Sequence, residues 1–210
     1  MRSLEDIRLY CFTAGNLLKG RDPLEIAGAQ IRGGADVIQL REKHMGKRDK
    51  LHLGLELRRL TRETGTLFIV NDDLDLAGIL EADGVHLGQE DIPIQYARDL
   101  AGDMVIGVST HSRAQALRAI EEGADYIGVG PVFSTGTKED HEPEVGLDLL
   151  SEVARFSTVP WVAIGGIGLE QVDPVVSTGC RAVAVISDIL LAEDVEARCR
   201  AIRLRLPGVA

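Results

Sequence analysis

Aromatic residues are scarce, at 4% of 210 residues. A core without many rings must be filled by Val, Ile, Leu and Ala, the composition of a parallel sheet buried on both faces. A basic surplus is missing too: 33 acidic side chains stand against 23 basic ones, for a net charge of −10. That excludes the basic footprint of a nucleic-acid binder, and any anionic ligand must be drawn in by a local cationic site. The cysteines, Cys11, Cys180 and Cys199, are few, odd in number and without metal-ligand spacing, as expected of reduced thiols in a cytosolic protein. The first residues, MRSLEDIRLY, lack the apolar core of a signal peptide. No apolar run nears the length of a membrane span, so a cytoplasmic location without a membrane partner is expected.

What the chain has is regular alternation. Short β-branched runs bounded by Gly, Asp, Asn or Ser predict strands at Ile7–Thr13, Val37–Arg41, Leu67–Val70, Gly84–Leu87, Val105–Ser109, Tyr126–Gly130, Trp161–Ile164 and Ala182–Ile186. Between them, Asp22–Arg32, Lys47–Thr64 and Ser112–Glu121 carry apolar residues at helical spacing. Asp22–Pro23 and Asp173–Pro174 have the pattern of an N-cap followed by Pro at the first helical position. Gly33–Gly34, Gly123 and Gly179 precede strands, where a left-handed C-cap turns the chain back into the sheet. Eight βα units with no linker in 210 residues predict one α/β domain, a single (β/α)8 TIM barrel spanning 1–210, over an open doubly wound sheet.

In such a barrel, chemistry sits on the loops after the strands. Strand two ends in Gln39-Leu40-Arg41-Glu42-Lys43, and alternation puts Gln39, Arg41 and Lys43 on one face. If that face is the interior, it is an anion site; if not, it is a solvated strand end paired with Glu42. Taken singly, Asp72 or Asp73 suits the N-cap of the third helix, and Asp91, ahead of Pro93, that of the fourth. Taken together beside the cations, the acids suit a Mg2+ ion completed by substrate phosphates. His86 has the setting of a packed interior residue. Gly128 to Lys138 combines glycines, hydroxyls and a lysine, a phosphate-binding pattern without P-loop order. The polar stretch from Gly136 to Gly146 suits a lid or a plain exposed loop. Gly165–Gly166 and Ile186-Ser187-Asp188 follow strands seven and eight, the recurrent phosphate position of these barrels. One cationic site and one neutral backbone cup at a single mouth suggest a transfer in which diphosphate leaves and the acceptor carries a phosphate.

The motifs QLREK (39–43), NDDLDLA (71–77), DGVHLGQED (83–91), IGVSTH (106–111), GADYIGVGPVFSTGTK (123–138), AIGGI (163–167) and VAVIS (183–187) together resemble thiamine phosphate synthase. AIGGI alone is common to many phosphate-binding barrels, whereas QLREK, GQED and GPVF-x-T-x-TK in combination are specific. The resemblance implies that Gln39, Leu40, Arg41, Glu42 and Lys43, with Asn71, Ser109 and Lys138, bind hydroxymethylpyrimidine diphosphate. It implies Asp72 and Asp91 as Mg2+ ligands, and Thr135, Gly136, Thr137, Gly166, Ile186 and Ser187 around the thiazole phosphate. Arg41, Lys43, Lys138 and Ser109 would carry the chemistry, a dissociative departure of diphosphate followed by capture of a pyrimidinylmethyl cation. Partners would be small molecules, and a homo-oligomer is compatible with this reading.

Two positions depart from the family pattern: Asp73 stands where an Arg is common, and the first strand, Leu9 to Ala14, is looser, so no site residue is assigned there. The alternatives are a barrel that isomerises thiazole phosphate, a non-catalytic phosphate or thiazole sensor, and a phosphosugar isomerase. The joint presence of Arg41, Lys43, Asp72, Asp91 and Lys138 argues against the first, the intact pair Asp72 and Asp91 against the second, and the lack of an acid–base pair better than His86 with Glu42 or Glu90 against the third.

Overall fold

The computed structural model describes residues 3–135 and 143–208. Eight strands form one closed parallel barrel in sequence order: β1 (Leu9–Phe12), β2 (Val37–Leu40), β3 (Leu67–Asn71), β4 (Gly84–Leu87), β5 (Val105–Thr110), β6 (Tyr126–Val129), β7 (Trp161–Ile164) and β8 (Val183–Ala184). Closure is made by β1 against β8, with Leu9 opposite Val183 and Tyr10 opposite Ala184. The surrounding helices are α1 (Pro23–Arg32), α2 (Lys47–Thr64), α3 (Leu74–Ile79), α4 (Ile94–Ala101), α5 (Arg113–Glu121), α6 (Gly146–Phe156), α7 (Val172–Ser177), α8 (Ser187–Leu190) and α9 (Val195–Arg205).

The expected eight strands are all present, the first and last shorter at both ends than the apolar runs that announce them. Period-two alternation divides each strand between two cores. Ile38, Leu40, Phe68, Val85 and Ile106 face the helices in the large outer cluster. Val37, Ile69, Tyr10, Phe12 and Tyr126 fill the barrel interior. Three aromatics, Tyr10, Phe12 and Tyr126, supply bulk to this narrow interior.

Helix ends follow the sequence in part. Asp22 caps α1, its carboxylate accepting from Leu24 N at 2.8 Å, and Pro23 opens the helix. Gly34, Gly123 and Gly179 take φ of +101°, +95° and +95°, each just beyond a helix end, as the left-handed turn requires. The Asp173–Pro174 expectation is corrected: α7 starts at Val172, continuing a 3-10 turn over Leu169–Gln171, so Asp173 lies inside the first turn. At the N-terminal end of the barrel, the buried Arg8 guanidinium donates to the carbonyls of Glu5, Ile7, Pro207 and Gly208. These bonds tie the chain's two ends together across that face of the barrel.

All three thiols are buried and unpaired by disulfides, and burial pushes the Cys180 thiol up to about 11 and the Cys11 thiol well above its ordinary value. A thiol-specific reagent should leave the native protein untouched and titrate three groups after unfolding. Reaction of the folded protein would contradict this placement.

Candidate functional site

The inward positions at the mouth differ around the barrel. β2 contributes Gln39 and then Arg41, β3 Asn71, β4 His86 and β5 Ser109, all lining one deep cavity with Tyr10 and Tyr126 at its floor. β6 to β8 contribute Gly128, Ile164, Ala184 and Ile186. One half of the rim is polar and cationic, and the other is apolar and open to backbone.

On the polar half, Lys43 Nζ lies 2.6 Å from Asp72 Oδ2. Asp72 sits at φ +60°, a left-handed conformation that Asp tolerates through local hydrogen bonds. Its N–H donates to His86 O at 2.9 Å, and its carbonyl accepts from Leu74 N at 2.9 Å. Asp91 Oδ2 accepts from Gly88 N at 2.5 Å, which folds the loop after β4 back on itself. Burial pushes the Asp91 carboxyl up, and the neighbouring Asp72 carboxylate adds to this against the Gly88 hydrogen bond and Lys43. Two carboxylates brought this close favour a cation between them.

The donors are hard oxygens, which fit Mg2+. Among the described residues no group of three or more His, Cys, Asp or Glu could hold a metal. A Mg2+ ion here would therefore take Asp72 and Asp91 and complete its shell with phosphate or water oxygens, the usual arrangement for this ion.

Neither acid is a helix cap. Pro93 occupies the cap position of α4, and Asp73 stands at that of α3 without a side-chain cap bond. Asp73 instead pairs with Lys50 at 2.8 Å and Lys47 at 3.5 Å, so the acid in place of the family's Arg fastens α3 to α2. Glu42 does not pair with the strand-end cations as the bland reading supposed. It is buried, and its carboxylate accepts from Gly15 N at 2.8 and 3.1 Å. Leu40 is outer core. These two residues therefore offer a ligand only their main chain.

On the other half, a cavity of about 380 Å3 is lined by Thr135, Gly165, Gly166, Ile186 and Ser187 together with Ser109. Gly165 (φ +99°) and Gly166 (φ +64°) cross directly beneath the Pro131–Ser134 chain, with Phe133 N donating to Gly165 O at 3.0 Å. A Cβ on Gly166 would lie 2.6 Å from Ser134 O, so only glycine admits this crossing. Asp188 turns away, accepting from Leu169 N and pairing with Arg198 at 2.8 Å. The cup thus combines hydroxyls and glycine backbone with the apolar side chains of Phe133, Ile164, Ile167 and Ile186, and its rim includes Glu144. Gly136, Thr137 and Lys138 lie outside the described residues.

Residue patterns missed several contributors. Tyr10, His86 and Tyr126 form a hydrogen-bonded file behind Ser109, with Tyr126 OH 2.9 Å from His86 Nδ1 and His86 Nε2 2.9 Å from Ser109 Oγ. Burial pushes both phenols well above their ordinary range, so they stay protonated. His111, whose Nδ1 donates to Gly130 O, faces the larger cavity. Inward alternation was the available signal: Tyr10 lies one inward step from Phe12, and Gly107 and Ser109 alternate with His111.

Comparison with known proteins agrees with this geometry. The family model described as thiamine monophosphate synthase matches residues 9–189. The thiamine-phosphate synthase of Chloroflexus aurantiacus is 45% identical over 198 residues, covering 94% of this chain and 92% of the relative. That of Pelotomaculum thermopropionicum is 46% identical over 204 residues, covering 97% and 94%. Among solved structures, the thiamine phosphate pyrophosphorylase from Pyrococcus furiosus superposes with a TM-score of 0.88 at 38% identity, covering 96% of both chains. With the barrel, both cavities and this likeness along nearly its whole length, the chain belongs to the thiamine monophosphate synthase family.

Proposed function

We propose that this chain is a thiamine phosphate synthase. It joins 4-amino-2-methyl-5-(diphosphooxymethyl)pyrimidine to hydroxyethylthiazole phosphate, or its carboxylated tautomer, and releases diphosphate. The observation that carries this reading is a pair of adjoining cavities that share the walls Ser109, Gly128, Ile164, Ala184 and Ile186, with Arg41 lining only the smaller one and Gly165, Gly166 and Ser187 only the larger. Arg41 and Lys43 on the polar half suit the diphosphate, and the glycine turn with the Thr135 and Ser187 hydroxyls suits a monophosphate. The shared wall holds the two reacting centres side by side, and proximity of that kind supplies much of a bimolecular barrier.

The chemistry asks little acid–base work of the protein. The bond between the pyrimidine methylene and the diphosphate oxygen breaks, with the electron pair leaving on diphosphate. The thiazole nitrogen then forms the new C–N bond with its lone pair. Arg41 and Lys43 stabilise the charge that grows on the leaving group, and Lys138 joins them in the family pattern. When bound, Mg2+ would supply further positive charge to the departing diphosphate. Asn71 and Ser109 orient the pyrimidine, while Thr135, Thr137, Gly136, Gly166 and Ser187 hold the acceptor phosphate. No helix among the described residues is long and apolar enough to cross a membrane.

Purified protein given both substrates should form thiamine phosphate and diphosphate in equal amounts. Product should vanish with EDTA and return with excess Mg2+. Absence of product while both substrates bind would overturn the synthase reading in favour of thiazole phosphate isomerisation or sensing.

A further inference from the structure

Five side chains cross the barrel in one unbroken file. Gln39 Nε2 donates to Tyr10 OH at 2.7 Å, Tyr10 OH lies 3.0 Å from Tyr126 OH, and Tyr126 OH lies 2.9 Å from His86 Nδ1. His86 Nε2 ends the file 2.9 Å from Ser109 Oγ. Gln39, Tyr10 and Tyr126 are 2–3% exposed, so no bulk water can substitute for a missing partner. Space for the file is made by glycine: a Cβ on Gly107 would stand 2.1 Å from the Tyr126 ring, and one on Gly128 3.4 Å from His86 Cε1.

With a neutral imidazole, such a file has only two self-consistent directions. In one, Gln39 donates to Tyr10, Tyr10 to Tyr126, Tyr126 to Nδ1 of His86, and Nε2–H to Ser109. Gln39 then offers its amide oxygen, and Ser109 its hydroxyl proton, to the cavity. In the other, every bond reverses, and Gln39 presents its amine while Ser109 presents an acceptor. The two ends thus always have opposite polarity, and neither can change without the other. Two observations select the first direction. Gln39 Nε2 is the atom placed against Tyr10, and Arg41, which lines the same cavity as Gln39, favours an amide oxygen facing it over an amine.

We propose that this file acts as a positioning relay that presets, as one unit, the polarity with which the pocket meets the pyrimidine: Gln39 accepting and Ser109 donating. A 4-aminopyrimidine matches it, since the exocyclic amine donates and the ring nitrogens accept. The corresponding 4-oxopyrimidine reverses both roles at its amide edge and is rejected. Tyr10, Tyr126 and His86 are then specificity-determining residues, acting through Gln39 and Ser109. The identity of the ring rests on the synthase reading above; the polarity of the relay does not.

The test starts with 15N NMR of His86 in the substrate-free wild-type protein. The relay requires a neutral ring protonated at Nε2, and a ring protonated at Nδ1 or at both nitrogens would overturn it. In Tyr126→Phe, His86 should lose its fixed tautomer. The KM for pyrimidine diphosphate should rise roughly tenfold to hundredfold, as expected when a buried partner is removed. The KM for thiazole phosphate should stay as it is. Selectivity for the 4-amino over the 4-oxo diphosphate should fall by a similar factor. An unchanged tautomer with unchanged selectivity in a folded Tyr126→Phe would sink the proposal. If the tautomer behaves as stated but no product forms with either ring, the synthase reading fails and the relay stands. If product forms on an Nδ1–H ring, the reverse holds.

Discussion

Asp91→Asn is expected to lower kcat/KM by roughly 10³-fold or more, the several kcal/mol that a bound divalent ion contributes to a phosphate leaving group. The substitution is chosen because it keeps shape. An Asn oxygen can still accept from Gly88 N, where the carboxylate now accepts at 2.5 Å, so the loop after β4 retains its fold. What is lost is charge. That charge is a burden on the folded protein without metal, because burial and the Asp72 carboxylate raise the Asp91 carboxyl above its ordinary range. A raised carboxyl gives stability that is fully present below the unfolded value of about 4 and is lost as pH rises through the folded one. At neutral pH in Mg2+-free buffer, Asp91→Asn should therefore melt at or above the wild-type Tm, and the difference should grow from about pH 4 upward. Addition of Mg2+ with diphosphate should raise the wild-type Tm and leave the variant's unmoved. An inactive variant that is also less stable would show Asp91 to be a structural residue, and a fully active one would remove it from the metal site.

This combination, activity gained at the expense of stability, bears on what sequence reasoning could reach. The alternation Val37, Gln39, Arg41 was enough to place two polar side chains in the mouth, because register in a buried strand admits no slip. The pair Asp72 and Asp91 was harder. Each also fits the local grammar of a helix cap, and only the three-dimensional approach of one to the other distinguishes a charged site from two ordinary starts. Glu42 was ambiguous for the same reason: its partner, Gly15 N, lies on another βα unit. The relay was beyond reach. Tyr10, Tyr126 and His86 sit on β1, β6 and β4, and the bond between the two tyrosines joins strands three apart around the barrel. No spacing in one strand encodes that meeting. The glycines that permit it, Gly107 and Gly128, read locally as weak strand positions rather than as room for a ring from another strand.

Gly166→Val is expected to remove the acceptor site while sparing the donor site. Gly166 adopts φ +64°, and a Cβ there would meet Ser134 O at 2.6 Å, Phe133 Cβ at 2.7 Å and Phe133 O at 2.8 Å. Two of these are backbone oxygens, which cannot rotate away, so the Pro131–Ser134 segment must lift and take Thr135 with it. The KM for thiazole phosphate should rise by about 10²-fold or more, the scale expected when substrate-positioning groups shift by an ångström. Binding of pyrimidine diphosphate, measured by calorimetry, should change little, since Gln39, Arg41 and Asn71 lie on the other half of the rim. The collision and the strained backbone together should also lower stability by roughly 1–3 kcal/mol. Gly65→Ala separates the two causes. Gly65 has a similar φ of +69° at the end of α2, with nothing within 4 Å of its added Cβ. It should cost only the conformational part, roughly 1–2 kcal/mol, and leave both KM values unchanged. A Gly166→Val enzyme with normal thiazole phosphate saturation would mean that the acceptor phosphate sits elsewhere, and the assignment of two cavities to two substrates would fall with it.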